Sequence, residues 1–215
     1  MFGEWLMGKC VIFCAAEFDA LPAPIGADDY LLAADGGLLH LQKLNLAPHG
    51  IIGDFDSLGY IPTGAQVFPV EKDDTDAMLA ARKGLELGFR EFLFYGSLDG
   101  KRLDHTIANF QTLQFLHDRS ATANLIGKDY LVTVIGNETV EFPAEATGIL
   151  SLFCLGPDAE GITLENLHYP LDHGRLTSGF HLGVSNHFTG KSARITVKKG
   201  SVLALWDRKN GFPRR

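Results

Sequence analysis

The stretch Ile51-Ile52-Gly53-Asp54-Phe55-Asp56-Ser57 places two apolar residues before a glycine and two carboxylates after it. An apolar run that ends in glycine predicts a buried strand at its end. On an extended chain the carboxylates of Asp54 and Asp56 would point the same way and repel each other. We therefore expect a positively charged group beside them, and a loop with a function beyond joining two elements.

Acidic residues follow predicted strands throughout the first half of the chain. The predicted strands are 9–16, 30–34, 51–53, 66–70 and 91–95. Apolar residues at helical spacing follow the second, the fourth and the fifth of them. In the last of these helices, one buried face is predicted to contain Ile107, Phe110, either Leu113 or Gln114, and Leu116. Near-continuous apolar strands that alternate with helices predict a mostly parallel sheet covered on both faces.

The acids that follow these strands are expected at one edge of the sheet, the edge at which ligands bind in such folds. They are Asp35, Asp54, Asp56, Asp73, Asp74, Asp76, Asp99 and Asp104. Some have a local explanation, since Asp76 and Asp104 lie where a carboxylate can cap a helix and Asp35 suits a turn. As a group they favour a functional interpretation, because buried carboxylates are costly unless they are paired, protonated or bound to metal.

Basic residues accompany the acids, namely Lys72, Lys101 and Arg102. Such a mixture suits a hard divalent cation together with a polyphosphate, because Mg²⁺ prefers oxygen ligands and usually shares phosphate oxygens with the substrate. Positioning and charge neutralisation account for most phosphoryl-transfer catalysis. The pattern therefore predicts metal-assisted phosphoryl chemistry, and phosphate hydrolysis fits the same ligands.

The pattern changes after about residue 127, where short apolar segments are separated by Gly, Pro, Asn and Asp. The predicted strands here are 130–135, 139–142, 148–154, 162–167, 192–198 and 202–206. This spacing predicts an antiparallel domain, a small sandwich or barrel. The expected fold class is α/β, with a mostly parallel N-terminal α/β sandwich domain followed by a smaller antiparallel β domain.

Composition argues against several classes of function. The 215-residue chain has a formal net charge of −7, whereas general nucleic-acid binding requires a basic face. No apolar run approaches the roughly 20 residues of a membrane span, and the N-terminus lacks the pattern of a signal peptide. The three cysteines form no CxxC pair, so we expect buried thiols in a cytoplasmic protein. Gly190-Lys191-Ser192 ends like a P-loop, but a required upstream glycine is missing.

Short motifs follow one another in a specific order along both halves of the chain. In the first half they are Asp35-Gly36-Gly37, Gly53-Asp54-Phe55-Asp56-Ser57, Lys72-Asp73-Asp74-Thr75-Asp76, and Arg102-Leu103-Asp104-His105 with Ala108-Asn109. In the second half they are Gly161-Ile162-Thr163-Leu164, Leu167-His168-Tyr169-Pro170-Leu171 and Gly183-Val184-Ser185-Asn186-His187-Phe188. Each motif alone is weak, but the ordered set covers nearly the whole chain and resembles the thiamine pyrophosphokinase family.

The resemblance implies transfer of a diphosphoryl group from ATP to the primary hydroxyl of thiamine, which yields thiamine diphosphate and AMP. It implies an α/β catalytic domain that binds nucleotide and Mg²⁺ over 1–128, and a β-sandwich domain that binds thiamine over 129–215. It further implies a homodimer with its active sites at the subunit interface.

The resemblance also implies the residues of the site. The catalytic candidates are Asp54, Asp56, Asp76 and Asp104, and the metal ligands among them are Asp54, Asp56 and Asp76. The ATP side would comprise Asp35, Gly36, Gly37, Ser57, Lys72, Thr75, Arg102, His105 and Asn109. The thiamine side, contributed by the partner subunit, would comprise Tyr169, Ser185 and Asn186. The hydroxyl proton would pass to Asp76 or Asp104.

The loop before Arg102 departs from the family, which more often has a shorter loop with paired glycines, so Asp99 and Lys101 receive no role. Tyr169 stands where some members carry Trp, which suits a stacking role. Two other functions would use the same residues: a Mg²⁺-dependent nucleotide or diphosphate hydrolase, and a non-catalytic protein that binds thiamine or nucleotide. The large number of mutually repelling carboxylates argues against the second, since a pure binder gains nothing from them.

Overall fold

The central strand of the first half of the chain, β1 (Cys10–Phe13), is buried at all four residues in the computed structural model. The structure describes residues 8–18, 21 and 24–215, and the chain divides into two compact units, Met1–Lys128 and Asp129–Arg215. Because successive side chains of a strand point to opposite faces, a strand buried at every residue is covered on both faces. Full burial contributes about 1.5–3 kcal/mol for each large apolar side chain.

The first unit is a parallel sheet with helices between its strands. Its strands are β1, β2 (Tyr30–Ala34), β3 (Gly50–Gly53), β4 (Gln66–Val67), β5 (Glu91–Tyr95) and β6 (Thr122–Ile126). Its helices are α1 (Leu38–Lys43), α2 (Asp76–Glu86) and α3 (Leu103–His117), and a 3-10 turn over Asp35–Gly37 precedes α1. The order across the sheet is β6-β5-β1-β2-β3-β4, and every neighbouring pair is parallel.

This order creates a switch point at β1. The chain runs outward from β1 through β4 and then returns to place β5 on the other side of β1, with Phe13 opposite Tyr95. The pairing continues past the strands, because Cys14 N donates to Tyr95 O at 2.8 Å. In open α/β sheets ligands bind beyond the carboxyl ends of the strands at such a point. The predicted parallel α/β class is confirmed.

Small residues let α2 lie close to the sheet. Thr75 caps the helix, since its hydroxyl accepts a hydrogen bond from Met78 N at 3.2 Å. The buried face of α2 consists of Ala77, Ala80, Ala81 and Gly84. A Cβ atom on Gly84 would overlap the Phe92 ring of β5. Thr75, and not Asp76, is thus the capping residue of α2. Asp76, the first residue of the helix, lies at the sheet edge with the other acids.

Two local predictions for the first unit are wrong, and one strand was missed. The fourth strand covers only Gln66–Val67 rather than 66–70, and β6 was not predicted. The buried face of α3 comprises Asn109, Thr112, Leu113 and Leu116, while Ile107 is 51% exposed. The spacing of apolar residues did not predict this face because two of its residues are polar. Both are hydrogen-bonded, since Asn109 donates to Ser97 O and Thr112 donates to Ala108 O.

The second unit is antiparallel and is built around one long strand. Its strands are β7 (Tyr130–Phe142), β8 (Ile149–Phe153), β9 (Ala159–Glu165), β10 (Leu171–Leu176), β11 (Asn186–His187) and β12 (Ala193–Asp207). Strand β12 pairs with β7 along both of its halves, with β9 in its first half and with β8 in its second half. Strands β10 and β11 extend this arrangement by pairing with β9 and β8. The predicted antiparallel second domain is confirmed.

Two pairs of predicted strands are in fact single strands. Segments 130–135 and 139–142 merge into β7, and 192–198 and 202–206 merge into β12. The turn-forming residues between them accommodate a bulge, because Asn137 and Gly200 have φ of 57° and 80° and the register shifts between Val197 and Ser201. Gly and Asn therefore mark a bulge in a continuous ladder here and not a break between strands.

No helix in the described part of the chain is long and apolar enough to cross a membrane.

Replacing Gly37 by alanine tests the close packing of the 3-10 turn on β1. An added Cβ atom would overlap the carbonyl group of Phe13, so the backbone would have to shift. We expect Gly37→Ala to lower the free energy of unfolding by about 3 kcal/mol. At Gly156 an added Cβ atom meets no atom within 4 Å, so Gly156→Ala should change the free energy of unfolding by less than about 0.5 kcal/mol. Urea unfolding followed by circular dichroism measures both, and equal midpoints would contradict the packing argument.

The thiols of Cys10 and Cys14 should be inert in the folded protein. Burial raises the pKa of each to about 12, and for Cys14 the charge of Asp76 raises it further. Because the thiolate is the reactive form, we expect neither residue to react with Ellman's reagent at pH 8 until guanidinium unfolds the chain. Mass spectrometry of the labelled peptides identifies the sites, and rapid labelling of Cys10 before unfolding would contradict the described burial.

Candidate active site

Three carboxylates from separate elements meet at the carboxyl edge of the parallel sheet. Asp35 directly follows β2, Asp54 directly follows β3 and Asp76 is the first residue of α2. Strands β2 and β3 are neighbours, with Ala34 opposite Ile52, so their ends deliver the first two acids side by side. One oxygen atom from each of the three carboxylates lies within 4.8 Å of the other two. The sheet topology therefore forms the cluster, which we call the acid triad.

Asp56 lies outside the acid triad. Phe55 is 2% exposed and has a φ of 61°, so the chain turns at this residue instead of continuing as an extended strand. Asp56 is exposed, and its backbone N donates to Asp54 Oδ1 at 3.3 Å. The chain is therefore not extended between Asp54 and Asp56. Asp35, and not Asp56, completes the group with Asp54 and Asp76.

The positive charge expected beside these acids is the ammonium group of Lys72. Its Nζ atom lies 2.5 Å from Asp54 Oδ2 and 3.2 Å from Asp76 Oδ1. The side chains are mostly shielded, with exposed fractions of 13% for Lys72, 11% for Asp54 and 22% for Asp76. The contacts are therefore screened less than those of a surface ion pair.

The environment separates the pKa values of the two acids that Lys72 contacts. The hydrogen bond from Lys72 is the main reason that the pKa of Asp54 is lowered. Burial is the main reason that the pKa of Asp76 is raised, and the charges of Asp54 and Asp35 add to this effect. Burial opposes the charge on Lys72, but its bonds to the two carboxylates outweigh burial and raise its pKa. Two neighbouring carboxylates thus have opposite tendencies to hold a proton.

Asp35 is held in place by Ser57. The Ser57 hydroxyl donates to Asp35 Oδ2 at 2.6 Å, and Asp35 has a φ of 47°. Gly36 and Gly37 follow it, both buried, and a Cβ atom on Gly36 would lie 3.1 Å from that of Ala15. These two glycines allow the turn after β2 to lie directly against the segment that contains β1 and Ala15.

The donor atoms of the acid triad suit a hard divalent cation. Asp35 Oδ1 is buried without a hydrogen-bond donor among the residues that the structure describes, whereas the buried Asp76 Oδ1 lies 3.2 Å from Lys72 Nζ. Buried polar atoms are nearly always satisfied, so the unsatisfied oxygen of Asp35 indicates a missing partner. Mg²⁺ binds through oxygen atoms and usually takes few carboxylates directly. Asp35, Asp54 and Asp76 therefore fit the requirements of a magnesium site.

The loop after β5 contributes a basic residue and a further acid. Arg102 donates to both oxygens of Asp104, at 3.2 Å from Nε and at 2.6 Å from Nη2. This hydrogen bonding lowers the pKa of Asp104 and raises that of Arg102, which the charge of Asp56 raises further. Both side chains are about two-thirds exposed, and the neighbouring His105 is exposed as well. The guanidinium group is thus accessible to an anionic ligand.

Side chains of α3 and of the loop itself hold the loop after β5 in place. Asn109 donates to Ser97 O at 2.7 Å, and Thr106 donates to Leu98 O at 3.2 Å. Asp99 Oδ2 accepts a hydrogen bond from Lys128 N at 2.6 Å, which ties the loop to the end of β6. Asp99, which received no role from the motifs, therefore fixes the shape of the loop. No sequence signal indicates this contact, because it depends on β5 and β6 being neighbours.

In the second unit the side chain of Asn186 is hydrogen-bonded to the backbone of Tyr169. Its side-chain oxygen accepts from Tyr169 N at 2.9 Å, and its amide nitrogen donates to Tyr169 O at 2.8 Å. Asn186 is 3% exposed, whereas Tyr169 is 60% exposed. Ser185 has a φ of 61° and its backbone N donates to Ser151 Oγ. Of the three residues expected to face thiamine, Asn186 is thus committed to holding Tyr169.

Tyr169 and Asn186 line a small apolar pocket at the surface of the second unit. The remaining lining residues are Leu164, Pro170, Leu171, Leu176, Leu182, Gly183 and Val184. Apolar walls with a few polar groups at fixed positions are typical of sites for small organic ligands.

Comparison with known proteins identifies relatives of both units. The family model of the thiamin pyrophosphokinase catalytic domain matches residues 24–125, and that of the thiamin pyrophosphokinase vitamin B1 binding domain matches residues 137–202. A thiamine pyrophosphokinase from Bacillus subtilis (strain 168) is 26% identical over 184 residues, which cover 81% of this chain and 85% of that protein.

Solved structures share the fold. The crystal structure of thiamine pyrophosphokinase from Bacillus subtilis has a TM-score of 0.81 at 23% identity, covering 92% of this chain and 97% of that one. The structure of a thiamin pyrophosphokinase family protein from Enterococcus faecalis has a TM-score of 0.77 at 23% identity, covering 93% and 99%. Both domain models match in the expected order and together span most of the sequence, so this chain belongs to the thiamine pyrophosphokinase family.

Proposed function

We propose that this protein transfers the diphosphoryl group of ATP to the hydroxyl group of thiamine and releases thiamine diphosphate and AMP. The observation that supports this best is the acid triad at the carboxyl edge of the sheet, in a chain that belongs to this family. The triad gathers negative charge where a metal-bound polyphosphate would need it. The attack is in line, with the thiamine oxygen approaching the β-phosphorus and AMP leaving on the opposite side.

Asp35, Asp54 and Asp76 would hold Mg²⁺, with Asp56 on the solvent side of the same turn. Mg²⁺ bound there supplies neutralisation of the charge on the phosphate oxygens of ATP. Ser57 orients Asp35 through its 2.6 Å hydrogen bond. Lys72 holds Asp54 and Asp76, and Thr75 fixes the start of α2 and therefore the position of Asp76.

Arg102 would contact the phosphate groups. Its guanidinium group is exposed. The two nitrogen atoms that donate to the carboxylate of Asp104 can also donate to two oxygens of a phosphate. His105 and the loop held by Asn109 would complete the ATP side. Gly36 and Gly37 would let the nucleotide approach the backbone closely at the switch point.

Asp76 is the better candidate for accepting the hydroxyl proton. Burial raises its pKa, whereas the hydrogen bond from Arg102 lowers the pKa of Asp104. A carboxylate with a raised pKa accepts a proton more readily at neutral pH. Asp104 would then contribute chiefly by holding Arg102 through the hydrogen bonds between them.

The apolar pocket of the second unit would take the rings of thiamine. Thiamine carries a cationic thiazolium ring and a flat pyrimidine ring, and an exposed tyrosine ring can stack on either of them. Asn186 would keep Tyr169 in place, and Ser185 would lie beside it. We further infer a cytoplasmic homodimer in which this pocket of one subunit serves the acids of its partner.

Asp54→Asn tests the metal site. Loss of one carboxylate should lower the rate of AMP formation from ATP and thiamine by more than 100-fold, because losing even an outer residue of a metal site costs roughly 10- to 100-fold. Circular dichroism should show an unchanged fold. Asp118→Asn makes the same chemical change at an exposed position of the first unit and should retain full activity. Near-normal turnover by Asp54→Asn would contradict the proposed site.

Product analysis in the same assay separates the alternatives. Chromatography should detect AMP and thiamine diphosphate in equal amounts. Phosphate or diphosphate without thiamine diphosphate would indicate a hydrolase. Calorimetric binding of thiamine without turnover in the presence of ATP and Mg²⁺ would indicate a non-catalytic binder.

Tyr169→Ala tests the thiamine side. Loss of a stacking ring should raise the KM for thiamine about three- to tenfold, since such contacts contribute about 0.5–1.5 kcal/mol, and should leave the KM for ATP unchanged. Tyr130→Ala removes another exposed tyrosine of the second unit and should change neither constant. Steady-state kinetics with each substrate varied in turn gives the constants. An unchanged KM for thiamine in Tyr169→Ala would place thiamine elsewhere.

A further inference from the structure

Lys72 occupies a position that a metal ion would also need. Its Nζ atom lies between two members of the acid triad, 2.5 Å from Asp54 Oδ2 and 3.2 Å from Asp76 Oδ1. The side chain is 13% exposed, so the ammonium group is held within the site and does not extend into solvent. Lys72 lies between β4 and α2, four residues before Asp76.

The acid triad requires a cation to stay assembled. Three carboxylates with oxygens within 4.8 Å of one another repel, and the repulsion is strong where the side chains are shielded from water. Among the residues that the structure describes, Lys72 is the basic residue that forms ion pairs with members of the triad, and it pairs with two of the three. Asp35 is instead held by the neutral hydroxyl of Ser57.

We propose that Lys72 is the resident counter-cation of the acid triad, which keeps the carboxylates together before the metal binds and competes with the metal for their oxygens. This inference rests on the proposed metal site and concerns the chain's own ammonium group. An ammonium and a divalent cation cannot contact the same carboxylate oxygens without strong mutual repulsion. Lysine suits the exchange because its charge lies at the end of a flexible stem that can move away.

Competition has two opposite consequences, which distinguish it from a structural ion pair. Removing the charge of Lys72 should destabilise the metal-free protein, because the carboxylates lose their counter-cation. The same change should strengthen metal binding, because the metal no longer has to displace an ammonium group. A purely structural ion pair would predict the first effect without the second.

Lys72→Met tests the proposal, because methionine keeps the length of the side chain and removes its charge. Thermal unfolding is measured in EDTA, and Mn²⁺ alone is titrated calorimetrically into the nucleotide-free protein. We expect the Tm in EDTA to fall by at least about 2–4 °C. We expect the Kd for Mn²⁺ to decrease about tenfold. Lys72→Gln, which is also neutral, should show the same pair of changes if the methionine variant folds poorly.

Two matched variants complete the experiment. Lys83→Met removes the charge of another lysine, whose ion pair with Glu86 lies on the exposed side of α2, and should alter neither quantity. Asp54→Asn should weaken Mn²⁺ binding. An unchanged or larger Kd for Mn²⁺ in both neutral Lys72 variants would overturn the proposal. Because no substrate is present, this result is independent of the enzymatic assay, so failure of the proposed function and failure of the counter-cation role are distinguishable.

Discussion

The parallel pairing of β1 with both β2 and β5 is the constraint on which the first unit depends. It buries β1 on both faces and places the switch point of the sheet beside it. Close packing at this edge leaves no room for a side chain at Gly37, which lies against the backbone of Phe13. The acids of the site thus lie beside a closely packed part of the unit, and such support is what a precise binding site requires.

Electrostatics at this edge is a compromise between stability and binding. A shielded group of three carboxylates is unfavourable for folding, yet its oxygen atoms, of which Asp35 Oδ1 has no hydrogen-bond donor among the described residues, suit a divalent cation. Lys72 offsets the repulsion among the carboxylates by pairing with Asp54 and Asp76. It also makes the two acids unequal, since the pKa of Asp54 is lowered while that of Asp76 is raised. The two acids thus differ in how readily they hold a proton.

Several residues of the family motifs hold the backbone around the site. Asn109 holds the loop after β5, Asn186 holds Tyr169, and Thr75 caps α2. An asparagine amide can both donate and accept, so a single buried side chain can fix the backbone of a loop. These residues explain why a motif extends beyond the groups that bind a substrate, and they show that membership of a motif does not by itself assign a chemical role.

The sequence by itself determined the class of each unit, because strand and helix periodicities and turn residues are local properties of the chain. It also determined that acids follow the strands and that a positive group must accompany them. Only the tertiary structure decided which acids meet, since that depends on which strands are neighbours and on how the chain turns at Phe55. It likewise decided that Lys72 pairs with Asp54 and Asp76, that Asp99 accepts from Lys128 N and that Asn109 donates to Ser97 O. These roles arise from contacts between residues distant in sequence, which no periodicity or spacing can specify.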